Sequence, residues 1–223
     1  MEPASGEPIK IGLMGLGVVG SAVAKALHDS REALSHQVGR PLELKRVLVR
    51  DPDKKRAYSP PPAVITTQVE DIVADPDIDI VVELMGGEKP ALEYITQALQ
   101  NGKHVVTANK EVVAKHGPML KGLAEDHGVE VLYEASVGGG IPLMGPFKQG
   151  LLANRITAVH AIINGTTNYI LSRMASEGVD LPEALSEAQH LGYAELVPSA
   201  GGKLGDCSVG RVDPSGAVAP AAA

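Results

Sequence analysis

Three glycines near the amino terminus have the spacing of a phosphate-binding turn, in the run Gly15-Leu16-Gly17-Val18-Val19-Gly20. The apolar stretch Ile9 to Met14 precedes this run, and an Ala- and Val-rich segment of helical character follows it, as a dinucleotide-binding motif requires. The first glycine permits a tight turn, the second lets the backbone approach a pyrophosphate, and the third lets the helix pack on the strand. We therefore predict a dinucleotide-binding loop, with a glycine-rich turn that binds no ligand as the alternative.

A basic residue, Arg50, follows the second apolar run, Leu42 to Val49. A carboxylate near this point would hold the ribose 2′-OH of NAD, whereas a guanidinium suits the 2′-phosphate of NADP. We interpret Arg50 as a contact to NADP, and the neighbouring Asp51 leaves NAD open as the alternative. Lys54 and Lys55 are better explained as solvated residues of a basic loop.

The elements that must position these residues follow from the hydrophobic pattern. Strands are predicted over 9–14, 42–49, 78–82, 104–107 and 129–133, and helices over 21–34, 91–100 and 110–127. Strands that alternate with helices are typical of a parallel sheet with crossover helices. The fold class is therefore predicted as α/β, with a Rossmann-type doubly wound parallel sheet.

The sequence changes character from residue 134 onward. A Gly138-Gly139-Gly140 junction leads to a predicted strand over 156–163 and predicted helices over 168–177 and 181–191, with Asp180 as the N-cap of the second helix. The predicted domains are a disordered lead-in (1–8), a dinucleotide-binding domain (9–135), a partial second domain (136–198) and a disordered tail rich in Gly, Ala and Pro (199–223).

Composition excludes several classes of protein. The net charge of −7 argues against a nucleic-acid partner, because phosphate binding needs clustered positive charge. No apolar run approaches the roughly 18 residues of a membrane span, and the polar start lacks an export signal. Cys207 is the single cysteine among the 223 residues, so an internal disulfide is excluded and a reducing cytoplasm is the expected location.

Several stretches together resemble homoserine dehydrogenase, in that family's order and spacing, over roughly residues 9 to 198. They are the glycine run with Ser21, Val82-Glu83-Leu84-Met85-Gly86-Gly87, Gly102-Lys103-His104-Val105-Val106-Thr107-Ala108-Asn109-Lys110, Tyr133-Glu134-Ala135-Ser136-Val137-Gly138-Gly139-Gly140-Ile141-Pro142, Asn164-Gly165-Thr166-Thr167-Asn168-Tyr169-Ile170-Leu171 and Gly192-Tyr193-Ala194-Glu195. The family interconverts L-homoserine and L-aspartate 4-semialdehyde with NAD(P), in threonine, methionine and isoleucine biosynthesis. The second region would then be a fragment of an α+β substrate domain.

The resemblance also implies roles for individual residues. Gly17, Val18 and Val19 would line the pyrophosphate, and Gly86 the nicotinamide side. Gly15 and Gly20 would complete the cofactor-binding loop. Lys110 would be the catalytic residue, with its ammonium hydrogen-bonded to substrate or cofactor. Gly192 and Glu195 would contact homoserine, with the Glu195 carboxylate paired to the amino group of the substrate. A monovalent cation, sodium, would bind Glu134 and the carbonyls of Val137, Gly139 and Ile141.

Structural interpretations compete with two of these roles. Lys110 could instead merely cap a strand–helix junction. Glu134 could instead hold the glycine turn by accepting hydrogen bonds from backbone N–H groups. A dinucleotide-binding module without catalysis, or a different amino-acid dehydrogenase, remains the alternative to the function as a whole.

The sequence departs from the family after Glu195. The family continues with an Asp-rich segment that ends in a lysine, the expected proton donor, whereas this chain has Gly201-Gly202-Lys203-Leu204-Gly205-Asp206, with Lys203 at a different offset. We expect a truncated or frameshifted copy with impaired catalysis, and a family-type homodimer that is lost or weakened.

Overall fold

The computed structural model describes residues 6–151, 153–158, 165–191, 211–212 and 218–219. It divides into two compact units, residues 1–150 and residues 151–223. The first unit extends beyond the boundary predicted at residue 135. The physical reason is that the backbone of Leu143, Met144 and Gly145 is hydrogen-bonded to the Glu134 side chain, which ties this segment to the end of the sheet.

A six-stranded parallel sheet forms the centre of the first unit, in the order β3-β2-β1-β4-β5-β6. The strands are β1 (Ile9–Met14), β2 (Leu42–Leu48), β3 (Ile65–Thr66), β4 (Ile80–Glu83), β5 (His104–Thr107) and β6 (Val131–Leu132). This order confirms the predicted doubly wound fold. The two-residue β3 was not predicted, because so short a strand leaves no alternation to detect.

Helices connect the strands. They are α1 (Val18–Asp29), α2 (Arg31–Val38), α3 (Glu70–Val73), α4 (Ala91–Gln100) and α5 (Lys110–Asp126). The single helix predicted over 21–34 is two helices, because Ser30 has non-helical backbone angles and serves as C-cap of α1 and N-cap of α2. None of the helices in the described part of the chain is long and apolar enough to cross a bilayer.

Two apolar clusters cover the two faces of the sheet. Met14 and Val81 belong to one cluster with α4 and α5, whereas Leu13 and Val47 belong to the other with α1. Adjacent residues of β1 enter opposite clusters because side chains alternate along a strand. Each fully buried aliphatic side chain contributes about 1.5–3 kcal/mol, so this core can be built with almost no aromatic residues.

A buried cation, Lys103, lies just before β5, at the amino end of the strand. Its side chain is 3% exposed, and its ammonium donates to the carbonyls of Asp75, at 2.5 Å, and Ile78, at 3.0 Å. Burial lowers the pKa of Lys103. This lysine therefore ties the α3–β4 connection to β5, at the opposite end of the strands from the candidate site.

In the second unit, a helical hairpin joins α6 (Gly165–Glu177) and α7 (Leu181–His190) around Ile170, Ala184 and Ala188. Asp180 caps α7 as predicted, accepting a hydrogen bond from the Glu183 N–H at 3.0 Å. The predicted strand over 156–163 is not formed at residues 156–158, and its remainder lies outside the described residues. Within the segment 199–223, which was predicted to be disordered, two short strands, β7 (Arg211–Val212) and β8 (Val218–Ala219), pair antiparallel. The other residues of that segment lie outside the described residues.

Candidate functional site

The carboxyl ends of the parallel strands bring the predicted site residues of the first unit to one edge of the sheet. The glycine run follows β1, Arg50 lies just beyond β2, Gly86 follows β4, Lys110 follows β5, and Glu134 follows β6. The strand order reverses between β1 and β4, and a crevice for ligands opens at such a switch point.

Two glycines of the run are required by the fold itself. Gly15 has a φ of +96°, and a Cβ added there would lie 2.8 Å from the Leu84 carbonyl oxygen. A Cβ at Gly20 would overlap the carbonyl oxygen of Gly15. Gly15 therefore lets the turn approach the backbone of Leu84, just after β4, and Gly20 lets α1 pack on the turn.

Gly17 has a different environment. A Cβ added at Gly17 would meet nothing within 4 Å, so the protein's own packing does not require glycine there. Gly17 is the N-cap of α1, with no side-chain cap and no acidic residue in the first turn. Val18 and Val19 are 91% and 56% exposed. The open space beside an uncapped helix amino terminus fits a pyrophosphate, which would accept hydrogen bonds from the first N–H groups.

Two arginines lie in the loop that follows β2. Arg50, the residue predicted to contact the 2′-phosphate of NADP, is exposed. Arg56 is half-buried, and its guanidinium donates to the carbonyls of Leu16 at 3.1 Å, Lys54 at 2.7 Å and Asp51 at 2.5 Å. Arg56 therefore ties the basic loop to the glycine run. The sequence showed a cluster of basic residues but not which of them would face inward.

Glu83 closes β4 and lies fully buried between two of the site loops. Its carboxylate accepts hydrogen bonds from the Met85 N–H at 2.8 Å and from the Thr107 hydroxyl at 2.6 Å. The Thr107 oxygen in turn accepts from the Asn109 N–H at 3.0 Å. This network joins the loop after β4 to the segment before Lys110. The sequence offered one signal for it, a charged residue at the end of an apolar run.

Lys110 is the first residue of α5 and is exposed. The N-cap of α5 is Asn109, whose side-chain oxygen accepts from the Val112 N–H at 3.2 Å. A cation at a helix amino terminus opposes the helix dipole, so local helix stability does not explain a lysine here.

The loop after β4 carries a charged cluster at its far end. Glu88 accepts from Lys115 at 2.6 Å and contacts His116 at 2.9 Å, and Lys115 also donates to Glu111 at 2.7 Å. The hydrogen bonds from Lys115 and His116 lower the pKa of Glu88 to about 2. The Glu111 and Glu88 carboxylates raise the pKa of Lys115.

Glu134 contacts backbone amides in this structure. Its carboxylate accepts from the N–H groups of Leu143 at 2.5 Å, Met144 at 2.8 Å and Gly145 at 2.7 Å. Those hydrogen bonds, that of Leu143 first, hold the pKa of Glu134 below its ordinary value of 4.5. The arrangement matches the structural interpretation of Glu134 that the sequence left open.

We expect replacement of Glu134 with alanine to loosen the segment 143–145. At pH 7, amide hydrogen exchange at Leu143, Met144 and Gly145 should accelerate by about tenfold or more, because three donors lose a charged acceptor. In the unmodified chain, this protection should persist above pH 4.5 and decline as the pH falls through the lower pKa of the folded state. The control is Glu130→Ala, which removes an exposed carboxylate on the other side of β6. Equal exchange in both variants would contradict the assignment.

Two predicted substrate contacts, Gly192 and Glu195, lie outside the described residues. Among the residues that are described, no group of three His, Cys, Asp or Glu side chains could hold a metal ion. A cavity of about 280 Å³ lies elsewhere in the first unit and contains none of the candidate residues; it is lined by Arg46, Glu70, Asp71, Ala74, Asp75 and Pro76.

Comparison with known proteins gives one consistent family. The family model described as "Homoserine dehydrogenase, NAD binding domain" matches residues 15–134, and the model described as "Homoserine dehydrogenase" matches residues 142–200. The homoserine dehydrogenase of Synechocystis sp. is 55% identical over 192 residues, which are 86% of this chain and 44% of that protein.

Solved structures agree with this result. A crystal structure of a homoserine dehydrogenase from Thiobacillus denitrificans matches with a TM-score of 0.80 and 47% identity, over 86% of this chain and 44% of that one. A hyperthermophilic archaeal homoserine dehydrogenase in complex with NADPH matches with a TM-score of 0.69 and 26% identity, over 86% of this chain and 64% of that one. The chain thus spans less than half the length of the Synechocystis and Thiobacillus relatives.

Proposed function

The chain belongs to the homoserine dehydrogenase family, and from this premise we propose that it binds NADP(H) at the carboxyl edge of its sheet. Its reaction would be the interconversion of L-homoserine and L-aspartate 4-semialdehyde. The environment of Gly17 is the main support for the cofactor site. Gly17 borders open space beside an uncapped helix amino terminus, whereas Gly15 and Gly20 are already explained by packing.

In this proposal the bound cofactor would donate a hydride to the semialdehyde and accept one from homoserine in the reverse direction, and the chain's own residues orient the reactants. The N–H groups at the start of α1 bind the pyrophosphate. Gly86, where an added Cβ would meet nothing within 4 Å, leaves room for the nicotinamide. The Lys110 ammonium donates a hydrogen bond to the substrate oxygen or the cofactor. By family resemblance, Gly192 and Glu195 contact the substrate, with Glu195 paired to its amino group.

The preference for NADP over NAD is proposed from Arg50. Its guanidinium is exposed just beyond β2, and Arg56 holds the surrounding loop against the glycine run. The archaeal relative was solved in complex with NADPH, which is consistent with this choice. The exposed Asp51 lies beside Arg50, and its side chain accepts from the Asp53 N–H at 3.0 Å.

We expect Arg50→Ala to weaken NADPH binding by about tenfold and to leave NADH binding within about twofold, because one charge-assisted contact to the 2′-phosphate is lost. Fluorescence titration of the chain with each reduced cofactor measures both affinities. Lys54→Ala is the matched control, since it removes a cation from the same loop. Equal losses for NADPH and NADH in the Arg50 variant would refute the assignment.

A sodium site at Glu134 with the carbonyls of Val137, Gly139 and Ile141 remains a prediction of the resemblance. In the structure the Glu134 carboxylate accepts hydrogen bonds from three backbone N–H groups, which supports its role as an anchor for the turn. No step of the proposed reaction is assigned to a cation.

A non-catalytic dinucleotide-binding module is the second candidate function. The observation that favours it is the Gly201 to Asp206 segment, which stands where the family has its Asp-rich stretch and lysine. A positioned acid contributes about 10²–10⁴-fold to such a reaction, so its loss leaves binding without efficient turnover. Both candidates predict that the chain binds NADPH. Only the dehydrogenase predicts turnover once the family's Asp-rich segment is restored.

Assembly and location belong to the same proposal. A homodimer of the family's type stays a prediction of the family resemblance. A cytoplasmic location is supported by the single cysteine, which gives this chain no internal disulfide that an oxidising compartment would maintain.

A further inference from the structure

The segment Gly86–Glu88, called the β4 loop below, has almost no side-chain anchors of its own. Gly86 and Gly87 have φ values of +74° and +73°, and neither has a side chain that could pack. A glycine pair of this kind has high backbone freedom. The position of the loop must therefore be set by the groups that hold its backbone and its one charged residue.

Two attachments join the β4 loop to α5 and its N-cap. The Asn109 amide nitrogen donates to the Gly87 carbonyl at 2.7 Å, while the oxygen of the same side chain caps α5. At the other end of the loop, Glu88 accepts from Lys115 and contacts His116, both on α5. Lys110 lies at the start of that helix.

We propose that Asn109 and Glu88 are positioning residues that fix the β4 loop to α5, so that the loop and Lys110 present one rigid surface to the nicotinamide end of the cofactor. The inference rests on the proposed function, because it assigns the β4 loop to the nicotinamide half of the site. Neither residue is a catalytic group. Asn109 is 5% exposed, with its oxygen committed to Val112 and its nitrogen to Gly87.

One substitution separates the two roles of the Asn109 side chain, the oxygen that caps α5 and the nitrogen that holds Gly87. In Asn109→Asp, a carboxylate oxygen can still cap Val112 and suits a helix amino terminus, but the donor to the Gly87 carbonyl is replaced by an acceptor that repels it. The helix is retained while the attachment is lost. Asn109→Ala removes both, and thermal unfolding of the two variants reports the cap separately.

The readout compares NADPH with 2′-phospho-ADP-ribose, which is the same ligand without its nicotinamide. We expect Asn109→Asp to weaken NADPH binding by about tenfold and to leave 2′-phospho-ADP-ribose within about twofold. The fluorescence enhancement of bound NADPH should fall as well, because it reports immobilisation of the nicotinamide. A general loss of structure would instead weaken both ligands.

Glu88→Ala tests the second attachment, with Glu111→Ala as its matched control. Both variants remove one carboxylate partner of Lys115, but only Glu88 belongs to the β4 loop. We expect a selective loss of NADPH affinity, by about fivefold or more, in the Glu88 variant alone.

Each outcome decides a different claim. Equal losses for both ligands, or no loss in either variant, would overturn the positioning role while the proposed cofactor site stands. Failure of the unmodified chain to bind either ligand would overturn the proposed function, and the inference with it. Selective loss of NADPH in the Asn109 and Glu88 variants supports both.

Discussion

Replacing Gly20 with alanine is expected to destabilise the first unit by about 3 kcal/mol or more, because the new methyl group would overlap the carbonyl oxygen of Gly15. The obstruction is backbone, which cannot rotate away as a side chain would, so α1 must move off the turn. Chemical denaturation followed by circular dichroism measures the effect.

Alanine at Gly17 is expected to leave the stability nearly unchanged and to weaken NADPH binding. A methyl group there enters open space, and the change of N-cap costs less than about 1 kcal/mol. That space is where the pyrophosphate would approach the backbone, so NADPH affinity should fall by about tenfold or more. Fluorescence titration and denaturation of the same sample separate binding from stability.

Gly122→Ala is the control for both variants. This glycine lies inside α5 with open space around it, and alanine there should stabilise the helix by about 0.5–1 kcal/mol without affecting NADPH. Unchanged NADPH affinity in the Gly17 variant would remove the observation on which the cofactor site is proposed. An undisturbed Gly20 variant would contradict the packing of α1 on the turn.

The second large effect concerns Lys110 and turnover. The chain as it stands is expected to oxidise homoserine barely detectably, because the family's Asp-rich segment and lysine are absent after Glu195. Joining the corresponding carboxyl-terminal part of the Synechocystis relative after Pro198 should restore turnover. Lys110→Met in that chimera should then lower kcat by about 100-fold or more, since a positioned hydrogen-bond donor to the reacting oxygen is removed.

Lys121→Met is the control for this experiment, as it removes an exposed cation further along the same helix. Absorbance of NADPH at steady state gives kcat and KM for each variant. A chimera that folds, binds NADPH and still shows no turnover would favour the non-catalytic module. Full turnover in the Lys110 variant would restrict that residue to a structural role.

Much of the first unit could be predicted from the sequence because its elements carry strong local signals. β1, α4 and β5 have the predicted bounds, since apolar runs and helical periods are written directly in neighbouring residues. The elements that were not predicted have weak local signals. The two residues of β3 are a strand only through their pairing with β2. The break between α1 and α2 lies in the backbone angles of Ser30, which no residue pattern specifies.

By itself, the sequence determined the glycine run, the succession of strands and helices, and the motifs that place the chain in its family, because each is a property of residues close together in the chain. The tertiary structure decided which of those residues serve the fold and which face open space. It separated Gly17 from Gly15 and Gly20, and it gave Glu134 three amide partners. Both results depend on atoms brought together from different loops, and a sequence pattern does not contain those distances.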